Sequence, residues 1–180
     1  MNLLELALKV GVEGFLHCNE LHKLIELAAN REVLEIGSFK GLSAWGMAIT
    51  AKRVVAVDTF KANSAGQTQE TSLTTLEDFQ RNTARFKNVM SLAMTSESAE
   101  AHIKADFDMI FLDAMHDYEN VKADIARWWP RVKHDGIMAF HDYGHGDFPG
   151  VKQAVDERFG AAPDGTVCVT LRWIERNMVA

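Results

Sequence analysis

Short apolar runs of strand length alternate along most of this chain with segments of helical length, and no other feature narrows its folding options as far. EVLEIG (32–37), RVVAVD (53–58), VMSLAM (89–94), FDMIFLD (107–113) and GIMAFHDY (136–143) are aliphatic and β-branched with few polar interruptions. Such runs suit strands covered on both faces in a parallel sheet. GLSAWGMAIT (41–50), TLEDFQRNTARF (75–86), SAEAHIK (98–104) and ENVKADIARWWPRV (119–132) fall between them as crossover helices, since parallel neighbours cannot be joined by a tight hairpin. PGVKQAVDERF (149–159), with proline in its first turn, predicts another helix, and TVCVTLRWIER (166–176) a closing strand. Ahead of the first strand, Leu16, Leu21, Leu24, Ile25, Leu27 and Ala28 recur near helical spacing, predicting a helix that ends around Asn30 and carries His17 and His22. The expected fold is α/β: a Rossmann-like, doubly wound, mainly parallel sheet of about six or seven strands with helices on both faces.

At 180 residues and 47% hydrophobic, the chain has enough apolar material for one substantial core. It is read as a single domain, 1–180, in which a helical segment (1–30) leads into an α/β core (31–180). A formal charge of -6 supplies no basic field for a phosphate backbone, so nucleic acid is not an expected partner. Glu5 and Lys9 interrupt the apolar start, no basic leader precedes it, and no segment approaches the roughly 18 apolar residues of a membrane span. A cytoplasmic protein without a membrane partner is expected; association into a homo-oligomer is left open. Cys18 and Cys168 lack CxxC spacing and read as reduced, buried thiols. Trp128, Trp129 and Trp173 read as core or interface residues. The polar stretch KANSAGQTQETSL (61–73) has the length of a lid or binding loop.

Ligands of open α/β sheets bind beyond the carboxyl ends of the strands. The turn after the first strand reads LEIGSFKGLS. Gly37 and Gly41 permit a sharp turn and close backbone approach, and Ser43 is placed to help cap the next helix. Asp58 ends the second strand, where an acid accepts hydrogen bonds from both ribose hydroxyls. Phe39 occupies the position at which a dinucleotide fingerprint needs its second glycine, and no GK[ST] follows. A pyrophosphate is therefore disfavoured. Glu35, just ahead of the turn, suits a cofactor that carries an amino-acid moiety and a ribose but no phosphate.

VLEIGSFKG resembles the first motif of class I S-adenosylmethionine-dependent methyltransferases, and VVAVDTF resembles their second. FDMIFLDAMHDYENVKADIARWWPRVKHDGIMAFHDY is similar to the later half of a small-molecule O-methyltransferase subgroup that includes the antibiotic-sugar (macrocin-type) enzymes. Their pattern runs from an IDGxHxYE segment to a GG turn and a final acidic pair. The resemblance spans about Glu32 to Phe159. It implies that Glu35, Gly37, Ser38 and Gly41 surround the methionine end of S-adenosyl-L-methionine. Asp58 would hold the ribose, with Thr59 and Phe60 beside the adenine. MTSESAEA implies that Ser96 and Glu97 line the adenine edge, although a helix cap would carry the same letters.

Methyl transfer from a sulfonium to a hydroxyl needs the acceptor in line with the methyl group and deprotonated. A histidine near neutral pKa can take the proton; a divalent cation can lower the hydroxyl's pKa and orient it. Asp113 ends the fourth strand, and His141 with Asp142 end the fifth, so all three are expected on one rim. The resemblance makes Asp113, His141 and Asp142 the positions of a metal site. Histidine in place of the usual first acid questions a pure magnesium site, because imidazole suits softer ions. Ala114 and Met115 depart from the glycine and the acid found in relatives, which moves the base role to His116, assisted by Asp113. Tyr118 and Tyr143 are candidates for closing the substrate pocket, and His145 and Asp147 of GHGDFPG lie near the same rim.

The expectation is an enzyme that methylates a hydroxyl of a small molecule with S-adenosyl-L-methionine as cofactor, with or without a divalent cation (magnesium or another). Two rivals stand beside it. One is a metal-dependent oxygenase or hydrolase built on His116, His141 and Asp113; the other is a module that binds the cofactor without turnover.

Overall fold

The computed structural model describes residues 3–9, 11–61, 75–163 and 165–179. Helices α1 (Leu3–Lys9) and α2 (Cys18–Leu27) precede β1 (Glu32–Ile36), α3 (Leu42–Met47), β2 (Arg53–Asp58), α4 (Leu76–Thr83), β3 (Val89–Ala93), α5 (Ser96–His102) and β4 (Phe107–Leu112). There follow α6 (Tyr118–Trp128), β5 (Val132–Phe140), α7 (Pro149–Phe159), β6 (Val167–Cys168) and β7 (Leu171–Glu175). The seven strands form one sheet in the order β3-β2-β1-β4-β5-β7-β6. β1 to β5 pair in parallel, while β7 is antiparallel to both β5 and β6.

Consecutive strand residues point to opposite faces, and both faces are covered. Val33, Val54, Ala56, Met109, Phe111, Ile137 and Ala139 pack under α1 to α4. Leu34, Val55, Val57, Ile110, Leu112, Met138 and Phe140 pack under α6 and α7. This double coverage is why the strands read as unbroken apolar runs rather than as alternating ones.

Three elements depart from the expected boundaries. The first predicted helix starts late, because His17 caps it: its ring accepts from Asn19 N, and Glu20 accepts from His17 N. It ends at Leu27, and Asn30 turns the chain with φ 58°. The α-helix over 119–132 stops at Trp128, and Pro130 lies in a short 3-10 turn at 129–131. TVCVTLRWIER is not one strand but a hairpin, with Val169 and Thr170 between the paired residues Cys168 and Leu171. Of the loop 61–73, all but Lys61 lies outside the described residues. Cys18 and Cys168 are free but only half-buried, whereas Trp128 and Trp129 are core.

Among the described residues, no helix is long and apolar enough to cross a membrane. Strand order reverses between β1 and β4, which locates the ligand crevice at their carboxyl ends.

Candidate active site

Gly37 donates to Val57 O at 2.9 Å and Asp113 N to Ile36 O at 2.8 Å, so the ends of β1, β2 and β4 abut. A β-carbon on Gly37, whose φ is +89°, would stand 2.0 Å from the carbonyl oxygen of Asp113. Only glycine lets the β1 turn pass under the β4 loop. Gly41, at φ +87°, begins α3 against the ring of Phe79.

Glu35 is fully buried here. Its Oε1 accepts from Ser43 Oγ, so that hydroxyl is committed to Glu35 and does not cap α3. Oε2 of Glu35 and Oγ of Ser38 are buried without a hydrogen-bond partner. Burial pushes the Glu35 carboxyl up to about 8 against the nearby hydroxyls of Ser38, which falls short of a well-formed hydrogen bond, and Ser43, with the charges of Asp113 and Asp58 adding to the rise. An unpartnered acceptor on a buried acid is costly unless a donor arrives.

Asp58 braces this turn. Its Oδ2 accepts from Ser38 N at 2.7 Å and Phe39 N at 2.8 Å, and its Oδ1 from Phe60 N at 2.6 Å. With about two acceptor sites per carboxylate oxygen, one remains on Oδ1. Thr59 stands half-buried beside it. Phe60 departs from its expected place beside adenine: it is 0% exposed and its ring meets Phe79 edge-on at 5.3 Å, because φ 53° turns it into the core. Thr95 caps α5, accepting from Ser98 N. The hydroxyl of Ser96 is used between helices, donating to Asp124 and accepting from Trp128 Nε1 at 2.8 Å. Glu97 is exposed in the first turn.

Across the crevice, Asp113, His141 and Asp142 bring ligand atoms within 4.8 Å of one another. Nδ1 of His141 lies 3.4 Å from Asp113 Oδ1 and 3.2 Å from Asp142 Oδ2. Asp142 sits at φ 56°, a left-handed conformation that Asp tolerates and that swings its carboxylate back over the rim. His116 joins from the β4 loop, with Nε2 3.1 Å from Asp142 Oδ2 and 3.5 Å from Asp113 Oδ1. Beneath them is a cavity of about 10 Å³ lined by Asp113, His116, His141 and Asp124 among apolar residues, room for about one water.

The acids dominate the titration of this cluster. Burial draws His116 down, but bonds and charges from Asp113 and Asp142 outweigh it and raise it to about 9. Burial opposes charging of His141 too, and Asp113, Asp142 and Glu20 together push it up to about 12. Asp142, despite burial, is held well below the usual carboxylate range by the two histidines. Against the expectation of a largely neutral His116, its two carboxylate neighbours, one of them from a different strand, pull it toward the protonated form.

Two residues of the site were not foreseen. Glu20 of α2 reaches His141, with Oε2 3.2 Å from Nε2. Its only local signal is the HxxE capping pattern. Phe148 stacks on His116 with ring centroids 4.3 Å apart, and nothing in GHGDFPG announced it. The tyrosines point elsewhere: Tyr143 OH donates to Asp156 at 2.7 Å and Tyr118 OH to Glu157, both on α7. His145 pairs loosely with exposed Asp147 at 4.0 Å, and its ring lies 5.2 Å from that of Phe148.

Residues 34–143, more than half of the chain, match a family described as a methyltransferase domain. Among curated proteins no sequence match is found. Among solved structures the chain is similar to the O-methyltransferase NovP, with TM-score 0.66 and 17% identity over 88% of this chain and 80% of that one. It is also similar to an O-methyltransferase from Bacillus cereus in complex with SAH (TM-score 0.59, 18% identity, 86% and 76% covered). An rRNA methylase from Streptococcus thermophilus is comparably similar (TM-score 0.60, 15% identity, 87% and 93% covered). At these identities the likeness is one of fold.

Proposed function

The chain belongs to the methyltransferase domain family and has the class I fold of S-adenosylmethionine-dependent methyltransferases, and from that premise we propose that it methylates a hydroxyl of a small molecule, with a divalent cation at the acceptor. The observation that carries the donor half is Glu35. Its unpartnered, buried Oε2 beside a glycine turn fits the ammonium of the methionine moiety. The remaining acceptor site of Asp58 Oδ1 suits one ribose hydroxyl, and Ser38 Oγ offers a further polar contact. S-adenosyl-L-methionine supplies an electrophilic methyl group on a sulfonium. The protein's work is to hold the acceptor in line with it and to manage one proton.

The acceptor half rests on the donor set. Two carboxylates and one imidazole converge from two strand ends, a set that fits a divalent cation and leaves positions open for an acceptor oxygen. Asp113, His141 and Asp142 would hold such a cation, which would supply a Lewis acid that lowers the pKa of the acceptor hydroxyl. With their carboxylate charge partly neutralised, His116 would be placed to accept the acceptor's proton. Phe148 holds the ring flat in place. The oxygenase reading leaves the glycine turn, with buried Glu35 and the clamp of Asp58, without a role.

Calorimetry with S-adenosyl-L-methionine, followed by mass-spectrometric detection of methyl transfer to a panel of small hydroxylated acceptors, tests the reading. Absence of cofactor binding by folded protein would overturn it. Binding without transfer to any acceptor would favour the non-catalytic module. The sign of the chain's charge, -6, argues for small acceptors over RNA.

A further inference from the structure

Glu20 is a carboxylate of the cluster that no strand end supplies. It lies in the first turn of α2, is 2% exposed, and meets His141 across 121 positions of sequence. All of its acceptor capacity is in use. Oε2 accepts from His17 N at 2.8 Å and faces His141 Nε2 at 3.2 Å; Oε1 accepts from Thr170 N at 2.8 Å and Thr170 Oγ1 at 2.6 Å. An ionised carboxylate accepts only, so each atom facing it must bring a hydrogen. Nε2 of His141 therefore carries one, and Nδ1 is the atom turned toward Asp113 and Asp142.

A second feature converges on the same carboxylate. Val169, a β-branched residue at φ 58°, occupies a turn position that normally takes glycine. The next residue, Thr170, gives both its backbone N–H and its hydroxyl to Glu20. Glu20 thus ties the start of α2, the β6–β7 hairpin and the end of β5 to one point, and the strained turn is the cost of that anchorage.

We propose that Glu20 is the positioning residue of the cation site: it keeps the proton on His141 Nε2, so that the proton a cation would displace is the one on Nδ1, at the point where Asp113 and Asp142 converge. The inference rests on the cation reading above and extends it to a carboxylate–histidine–metal relay. Such a relay raises the basicity of the imidazole and favours manganese, iron or zinc over magnesium, which prefers an all-oxygen shell.

Zinc is a diamagnetic probe of this arrangement. In the zinc-loaded wild-type protein, long-range proton–nitrogen NMR of the histidine rings should show His141, identified by its loss in His141→Asn, protonated on Nε2 and metal-shifted on Nδ1. Glu20→Gln cannot accept from all four donors and should weaken zinc about 10- to 100-fold in competition with a chromophoric chelator. A His141 protonated on Nδ1, or unchanged zinc affinity in folded Glu20→Gln while Asp142→Asn loses it, overturns the role of Glu20 and leaves the cation site standing. If neither Asp113→Asn nor Asp142→Asn alters zinc affinity, the cation reading itself falls. Should Glu20→Gln fail to fold, the wild-type ring spectrum decides alone.

Discussion

At the ends of β1 and β2, carboxylates are met by neutral donors: Asp58 by three backbone N–H groups, Glu35 by the hydroxyl of Ser43 with that of Ser38 nearby. At the ends of β4 and β5, Asp113 and Asp142 are met by imidazoles. The consequence is opposite titration. Burial pulls Glu35 toward the protonated form, since the serine hydroxyls beside it do not replace its hydration, while the acids pull the histidines toward theirs. The first half is short of positive charge and suits a cationic ligand group. The second holds its positive charge as protons that a divalent cation can displace.

The strongest way to break this comparison is to remove the cation. Exhaustive chelation should abolish turnover and leave S-adenosyl-L-methionine binding intact, and manganese or zinc should restore activity better than magnesium. Asp113→Asn and Asp142→Asn should behave like chelated enzyme. Full turnover after chelation would reduce the acids to acceptor binding or structure.

Next in size is His116→Ala, which should lower kcat roughly a hundredfold or more with cofactor affinity nearly unchanged. The raised folded pKa sets the sign of the pH effect. Protonated His116 cannot accept a proton, so the rate should rise with pH along a limb above the ordinary 6.5 and no higher than about 9. The limb should flatten in the variant. A limb that survives His116→Ala would move the base to the cation's own hydroxide.

The two halves also differed in how far they could be read from the chain. Strand ends, the glycine turn and Asp58 follow from local spacing, because the βαβ rhythm dictates which residues emerge at the rim. The convergence of Asp113, His141 and Asp142 follows from the same rule applied to two neighbouring strands. Glu20 and Phe148 do not: each reaches its histidine through tertiary packing, and a glutamate in the first turn of an amphipathic helix looks like a cap whether or not a buried imidazole waits above it. The upward pull on His116 is hidden from local spacing for the same reason, since it depends on Asp142 approaching to 3.1 Å. Ser96 and Phe60 are the converse case, positions expected at the adenine whose side chains serve the fold, and Ser43 gives its hydroxyl to Glu35 rather than to the cap of α3.

Asp58→Ala sharpens the donor half. It removes one partner for the ribose and the clamp on Ser38, Phe39 and Phe60, so cofactor affinity should fall by roughly 1.5 to 3 kcal/mol. Because three backbone donors lose their acceptor, melting temperature should fall as well. Unchanged affinity in folded protein would place the ribose elsewhere.

The smallest effect on catalysis is the most direct test of charge in the donor half. The Glu35 carboxyl titrates at about 8 in the fold against 4.5 when unfolded. Its folded pKa is raised, so its contribution to stability is fully present below 4.5 and is lost as pH rises through 8. Glu35→Gln keeps the shape and removes the titration. Relative to wild type, the variant should therefore gain melting temperature progressively between pH 5 and pH 8, with no further change above. Cofactor binding supplies the complement: an ammonium placed on Oε2 favours the carboxylate, so calorimetry of S-adenosyl-L-methionine in buffers of different ionisation enthalpy should register proton release below pH 8. In Glu35→Gln that release should vanish and affinity should drop. Equal proton release by both proteins would mean that the buried acid does not face the cofactor, and the two halves of the rim would no longer be complementary.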